Sequence, residues 1–470
     1  MRYSILICFT LLSTITFGKT WKVGPSRTYT APSKVSGLVS DGDTVAIDSS
    51  TYSADVCKWT ANNLTLMGIG GRPTLDAHGT SYGGKAIWVI GGNNTSVINI
   101  TFANCACASW NGAGIRQEGI GLTVRKCYFH DNEDGILAGD NATSDILIEY
   151  TEFNHNGHGD GYSHNLYINH VRSLTFRYNY SHHARIGHEL KSRAYHSYIL
   201  YNRFSDEDTG TASRSIDLPN GGHAVLIGNI IEQGPLSQNS NIMEYGLEGL
   251  TNPDSSLFII NNTFANDLNK GSFIVVQNGT QLTKIYNNIF AGNGSILSGT
   301  ITKTDSSNNI ICSISNAGFT DAKNYDYHLL SSSIAINKGG SPGNDGMFSL
   351  TPIDEYVHPA NMESRPSDLT LDVGAYEYAV VSGIQSEQNN YSNFRIFPNP
   401  TSGKFTIVLN SDNHSKNVFE LYNIQGQLLW SATLENTAIK GLSPDINLIP
   451  GIYILKLNQG EAGIRKIIVQ

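Results

Sequence analysis

ILIEYTEFNHN, residues 146–156, is the phrase on which the fold turns. Ile146 and Ile148 stand two apart, a large residue follows at Phe153, and polar residues close the phrase. Side chains on a strand alternate between faces, so this is a strand with one buried side. The phrase returns as INITFANC (98–105), LTVRKCYFHDN (122–132), LTFRYNYSHHA (174–184), SYILYNRFSDE (197–207), AVLIGNIIEQG (224–234), LFIINNTFAND (257–267) and KIYNNIFAGN (284–293). The closing residues Phe102, Phe129, Phe153, Tyr180, Phe204, Ile231, Phe264 and Phe290 lie 24 to 33 positions apart. One such strand cannot bury its face alone; a repeat of this length lets copies stack into a solenoid with a continuous core. Asn202, Asn229, Asn262 and Asn288 each stand two residues before the closing position. That column predicts an asparagine ladder, amide bonded to amide from coil to coil.

Composition agrees with an all-β protein: 470 residues, 47 of them glycine, only 15% charged, and no long helical runs. A net charge of -9 without a basic stripe argues against nucleic acid as a partner, and it leaves room for a locally basic cleft facing an anionic sugar chain. Residues 1–18 read as an export signal: Arg2 starts it, and Ile5 to Leu12 form an apolar run too short to span a membrane. Cys8 would leave with the signal, and Cys57, Cys105, Cys107, Cys127 and Cys312 remain, an odd set. Cys105 and Cys127 are about one coil apart, so they either bridge or stay as buried thiols.

The repeat resembles the right-handed parallel β-helix of pectate lyase-like carbohydrate-active proteins, over roughly Thr20 to Tyr378. TWKVGPSRTYTAPSKV, from Thr20, looks like the cap and first coil, and YDYHLLSSSIAINKGG with DVGAYEY (372–378) like the last coils. The architecture implied is all-β: a β-helix over 19–378, a polar linker over 379–393 and a small β-sandwich over 394–470. In that last segment FPNPTSGKF, LYNIQGQLL and PGIYILKL resemble the carboxy-terminal sorting domain of type IX secretion in certain Gram-negative bacteria. The resemblance implies the type IX machinery as a partner and release or attachment at the cell surface. One solenoid scaffold hosts lyases, hydrolases, epimerases and adhesins, so function has to be argued from the site.

Seven of the fourteen histidines (His155, His158, His164, His170, His182, His183 and His188) fall within one short stretch. It holds two strand-like segments, HNLYINH (164–170) and HELKSRA (188–194). Strict alternation turns Leu166, Ile168, Leu190 and Ser192 inward, and Asn165, Tyr167, Asn169, Glu189, Lys191 and Arg193 outward. The next coil, SRSIDLPNGG (213–222), turns Asp217 outward. Coils stack about 4.8 Å apart, so Tyr167, Lys191 and Asp217 form one column with Arg193 beside it.

β-Elimination of a uronate polysaccharide needs a neutralised carboxylate, a base for the adjacent proton and an acid for the leaving oxygen. Arg193 suits the first role, by bidentate pairing. Lys191 and Tyr167 share the other two, with His164 or His188 as an alternative base or neutraliser. Asn165, Asn169 and Asp217 would line the bound chain, with Arg116 and Glu244 at the groove's two ends. The set resembles β-helical lyases of the alginate-lyase and chondroitinase-B kinds, which implies an acidic polysaccharide as substrate. Some of those relatives use Ca²⁺, and the resemblance makes Asp160 and Glu189, with Asn165 and Asp217, candidate ligands. Two other readings stay open. One is a non-catalytic glycan-binding or adhesin solenoid whose Lys191, Glu189 and Asp217 are only a surface salt-bridge ladder. The other is a glycoside hydrolase using carboxylates such as Asp206, Glu207 and Asp208.

Overall fold

A computed structural model describes residues 18–366, 370–378, 394–397, 401–409, 417–423, 426–434, 441–458 and 463–469. All but the last residue of the export-signal reading, and the whole linker reading, lie outside the described residues. The chain divides into two units, residues 1–379 and 380–470.

In the first unit three parallel sheets of 12, 10 and 11 strands run the length of a β-helix, each coil giving one strand to each sheet. The recurring phrase supplies the strands of two of them. Asn141–Glu149 lies in the first and Glu152–Asn154 in the third, joined through Tyr150 at φ +53°. Tyr178 and Tyr201 make the same bend one and two coils on, at φ +58° and +55°. A left-handed residue there turns the chain sharply at each corner, and the three tyrosine rings stack down the outside, 5.1 and 5.8 Å apart.

The core is one continuous cluster running through the coils. Phe102, Phe129 and Phe153 stack in register with centroids 4.8 and 5.0 Å apart. The next closing position departs from expectation. Phe153 pairs with Ser181, and Ser181 with Phe204, so Tyr180 does not take the inward slot and packs in a separate cluster. Tyr180 follows Phe176 by four residues where the other phrases leave five, and that missing residue moves it off the column. Phe176 fills the gap, 5.9 Å from both Phe153 and Phe204, while Ser181 brings a hydroxyl into the core.

The ladder is present and longer than the sequence indicated: Asn179, Asn202, Asn229, Asn262 and Asn288 each pass Nδ2 to the next Oδ1 at 2.8–3.1 Å, ending on Asn309. Asn229 also accepts from the Asn202 backbone N–H and donates to the Ile199 carbonyl. Asn229→Ala would leave several buried groups without partners, each costing about 1–3 kcal/mol. We expect a loss of about 3 kcal/mol or more, read as a lower denaturant midpoint with an unchanged m-value.

One expectation is corrected here, and one open alternative is resolved. The described residues of 314–378 add no coils. They form the antiparallel pairs Phe319–Asp321 with Asp326–Leu329 and Asp354–Val357 with Asn361–Ser364, and they pack on the outside of the solenoid. Tyr178 Oη, for example, donates to Asp354 at 2.6 Å. The five cysteines Cys57, Cys105, Cys107, Cys127 and Cys312 are all free; Cys105 and Cys127 are buried and donate to the carbonyls of Thr80 and Val97. The second unit consists of antiparallel sheets of three and four strands around a small core that includes Phe405, Phe419, Leu421 and Leu455.

Candidate functional site

Each strand of the ten-stranded sheet turns two consecutive residues inward before alternation begins. Ile87 with Trp88, Ile242 with Met243, and Phe273 with Ile274 all sit in the core as neighbours. The chain is still bending from the preceding corner there, so the period of two does not yet apply. This overturns two expectations. Asn165 and Glu189 precede Leu166 and Leu190 and point inward with them; both are buried. They continue a second internal ladder, Asn132 to Asn156 to Asn165, at 2.9 Å per step, which ends on Glu189. Glu189 Oε2 accepts from Asn165 and from Ser181 Oγ, and its Oε1 accepts from the Ala184 N–H at 2.8 Å. Burial, with the nearby Asp206 charge, pushes this carboxyl well above the usual range, against the hydrogen bonds from Ala184, Ser181 and Asn165.

The residues that remain outward do form a column. Arg116 pairs with Leu137, Leu137 with Tyr167, Tyr167 with Lys191, Lys191 with Asp217 and Asp217 with Glu244. The start of each strand gives a second column. The His164 and His188 rings stack at 4.6 Å, and His188 pairs with Arg214.

Side chains knit these columns together. Asp217 Oδ2 lies 3.0 Å from Lys191 Nζ and 3.3 Å from His188 Nε2. Burial raises the Asp217 carboxyl, but hydrogen bonding and charge from His188 and Lys191 outweigh it and hold it well below the carboxylate range. Arg193 donates from Nε to Tyr167 Oη at 2.9 Å and from another nitrogen to Asn220 Oδ1. Glu248, on the turn after the next strand, reaches back over the column. Its Oε1 accepts from Lys191 Nζ at 2.9 Å and its Oε2 from Arg193 at 2.6 Å.

His164 Nδ1 accepts from the His188 backbone N–H at 3.0 Å, so the neutral ring carries its proton on Nε2. Burial first, then the charges of His188 and Lys191, drive its proton affinity well below the histidine range. His188 Nδ1 is buried without a partner among the described residues.

Of the remaining candidates, Asn169 accepts from the backbone N–H of His170 beyond the strand end. Glu244 is tied to Arg214 at 2.7 Å. Arg116 lies in the column with its Nε buried and unpartnered among the described residues. Asp160 accepts from Tyr162 N and Ser163 Oγ within its own turn. The arrangement does not fit calcium at Asp160 and Glu189: Glu189 faces the core with both oxygens engaged. Among the described residues, no group of three or more His, Cys, Asp or Glu is placed to hold a metal ion.

Alternation in the sequence did not reveal Arg214 or Asn220 as members of the site, nor that Glu248 reaches it. Glu248 is 57 residues from Lys191, and its signal was an acidic residue between two glycines in YGLEG.

The Asp206–Asp208 turn is a structural knot. Asp206 is buried and accepts from Ser237 Oγ at 2.6 Å and from Ala212 N at 3.1 Å. Beside it Glu232 accepts from Ser205 Oγ and from the N–H groups of Asp206 and Glu207 at 2.7–2.8 Å. Burial pushes Glu232 up to about 8, against those hydrogen bonds and with help from the Asp206 charge. An unfolded glutamate releases its proton near pH ~4.3. Between there and about 8 the native state holds more protons than the unfolded one, so stability falls as pH rises, by up to about 1.4 kcal/mol per unit. Glu232→Gln should flatten that slope and melt above wild type near pH ~8; parallel melting curves across the pH range would contradict it.

Comparison with known families gives two matches. Residues 52–211 match the right-handed β-helix region family, and residues 395–470 match the secretion system C-terminal sorting domain. No curated protein matches the chain. Among the described residues no helix is long and apolar enough to cross a membrane. The chain thus joins a right-handed parallel β-helix to a sorting domain that directs it to secretion or cell-surface attachment through type IX secretion.

Proposed function

We propose that this chain is a lyase that cleaves an acidic, uronate-containing polysaccharide by β-elimination. The observation that carries this reading is Glu248. Its one carboxylate is gripped by Lys191 on one oxygen and Arg193 on the other, although its side chain is 47% exposed. Two cations on one coil, two residues apart, are therefore spaced to receive a carboxylate, and a uronate C5 carboxylate has the same chemistry. Displacing Glu248 with substrate would bring C5 beside Tyr167, whose oxygen already accepts a hydrogen bond from Arg193.

In the reaction, Arg193 and Lys191 neutralise the carboxylate, which makes the C5 proton removable. The mechanism requires Tyr167 as the phenolate to take that proton, with its oxygen accepting from Arg193 Nε. The C5–H pair forms the C4–C5 double bond, the C4–O bond breaks, and Lys191, paired with Asp217 at 3.0 Å, protonates the departing oxygen. A proton passing from Tyr167 back to Lys191 resets the site. Asp217 and His188 position the lysine, and His164 packs beneath them. Incubation with alginate, glucuronan, pectate and chondroitin tests this: one of them should yield a product with the ultraviolet absorbance of an unsaturated uronate. New reducing ends without that absorbance would mark a hydrolase.

Glu248 also competes with substrate, since its ion pairs hold the site in a closed form. Glu248→Ala should lower KM for the cleaved polysaccharide several-fold, by roughly three- to tenfold. A raised KM would mean that Glu248 helps bind the chain.

A second reading is favoured by one observation. Lys191 and Arg193 are both already neutralised by protein carboxylates, which is what a non-catalytic glycan-binding solenoid would also show. Retention on an acidic glycan column without any product would decide for it.

A further inference from the structure

Two loops lead into the candidate site and are not used by the chemistry above. Residues 105–112 precede the strand Ala113–Gln117, and residues 157–163 precede Leu166–Ile168. Between these coils lies the strand Asp134–Ala138, entered by a short turn. Two coil steps are roughly 10 Å, yet the loops meet over that turn: the Trp110 and His158 rings stack at 4.7 Å with planes 9° apart.

One carboxylate anchors the meeting point. Glu133 Oε2 accepts from the N–H groups of Cys107 and Gly112 at 2.9 and 2.7 Å, clamping both ends of the turn that carries Trp110. Its Oε1 faces His158 Nδ1 at 3.7 Å. The second loop is pinned in turn: His158 N donates to Ser163 Oγ at 2.6 Å, and His164 N donates to Asp134 Oδ1 at 2.8 Å. Despite this support, the indole is 56% exposed, and Tyr162, on the loop that carries His158, is 88% exposed. Trp110 also holds φ at +58°, a conformation that costs a bulky residue energy. Burial of the ring does not repay that cost. Large exposed aromatics on a braced, strained turn at the rim of a groove are the signature of a binding surface.

The geometry points to a sugar-stacking subsite at Trp110, backed by His158, which takes a pyranose ring of the bound chain on its apolar C–H face. It lies at the entrance of the strands that carry the Arg116–Leu137–Tyr167 column, so the ring it holds neighbours the one undergoing elimination. The inference rests on the glycan reading of the site. It adds that recognition outside the scissile linkage uses ring stacking, with charge left to Lys191 and Arg193.

Carboxyl-reduced alginate and pectate oligosaccharides separate the two claims, because they keep the pyranose rings and cannot undergo elimination. Of the five tryptophans, Trp59 and Trp88 are fully buried and Trp21 nearly so, which leaves Trp110 as the exposed reporter in the β-helix. Titrating the full chain with these oligosaccharides should shift its tryptophan emission. Trp110→Ala should weaken binding by roughly tenfold, as the loss of one aromatic stacking contact predicts, and His158→Ala by less. Emission unmoved by every oligosaccharide, or equal affinity in Trp110→Ala and wild type, overturns the subsite. A Trp110-dependent shift from a protein that releases no unsaturated product from any of the acidic parent chains upholds the subsite and removes the elimination reading.

Discussion

Lys191→Ala is expected to lower turnover by about 10³-fold, within the range for removal of a positioned proton donor, and to leave the fold in place. The lysine is expected to act twice, in the grip on the carboxylate and as the acid for the leaving oxygen, so alanine removes both. The structural cost is limited because Asp217 keeps a second partner: His188 Nε2 remains 3.3 Å from Oδ2. Breaking one arm of that buried pairing should cost about 2 kcal/mol, below the value for a carboxylate left wholly unpaired. A small fall in Tm with the β-sheet circular dichroism spectrum retained would accompany the lost activity. Full activity in the variant would remove Lys191 from the mechanism.

Arg193→Lys should be nearly as damaging, with about a 10²-fold loss in kcat/KM, although the charge is kept. One planar guanidinium serves three acceptors at once: Tyr167 Oη, Asn220 Oδ1 and Glu248 Oε2. A lysine ammonium cannot hold that fork. It would lose either the carboxylate or the hydrogen bond to Tyr167, so kcat should fall and KM rise together. The contrast with Glu248→Ala is diagnostic, because there KM alone is expected to move, and downward. If Arg193→Lys changed only KM, Arg193 would be a binding residue with no part in activating Tyr167.

The fold was legible because its signal is repeated. Apolar pairs followed by an aromatic at Phe102, Phe129, Phe153 and Phe204 are what stacking coils require, and the asparagine column at Asn202, Asn229, Asn262 and Asn288 could be seen before any coordinates. The vertical order Tyr167–Lys191–Asp217 followed from the coil length alone and is the observed register. What failed was local. A strict period of two sent Asn165 and Glu189 outward, whereas the corner before each strand turns two residues in succession toward the core. Apolar doublets at the same place, Ile87–Trp88 and Phe273–Ile274, carried that signal. Glu248 could not be placed on Lys191 and Arg193 because loop reach is not periodic; nothing in the spacing of YGLEG says that the turn folds back over earlier coils. The outer cover, residues 314–378, likewise keeps strand-like sequence without the repeat, and it pairs with itself in antiparallel fashion.

Lys191, Arg193 and Tyr167 are expected to act together in elimination. The most direct measurement is the mass of the oligosaccharides released from the cleaved polysaccharide. Elimination leaves each new non-reducing end one water lighter than hydrolysis does, and the account predicts that lighter series from wild type and its loss in Lys191→Ala. Products carrying the added water, or the lighter series undiminished in Lys191→Ala, would contradict it.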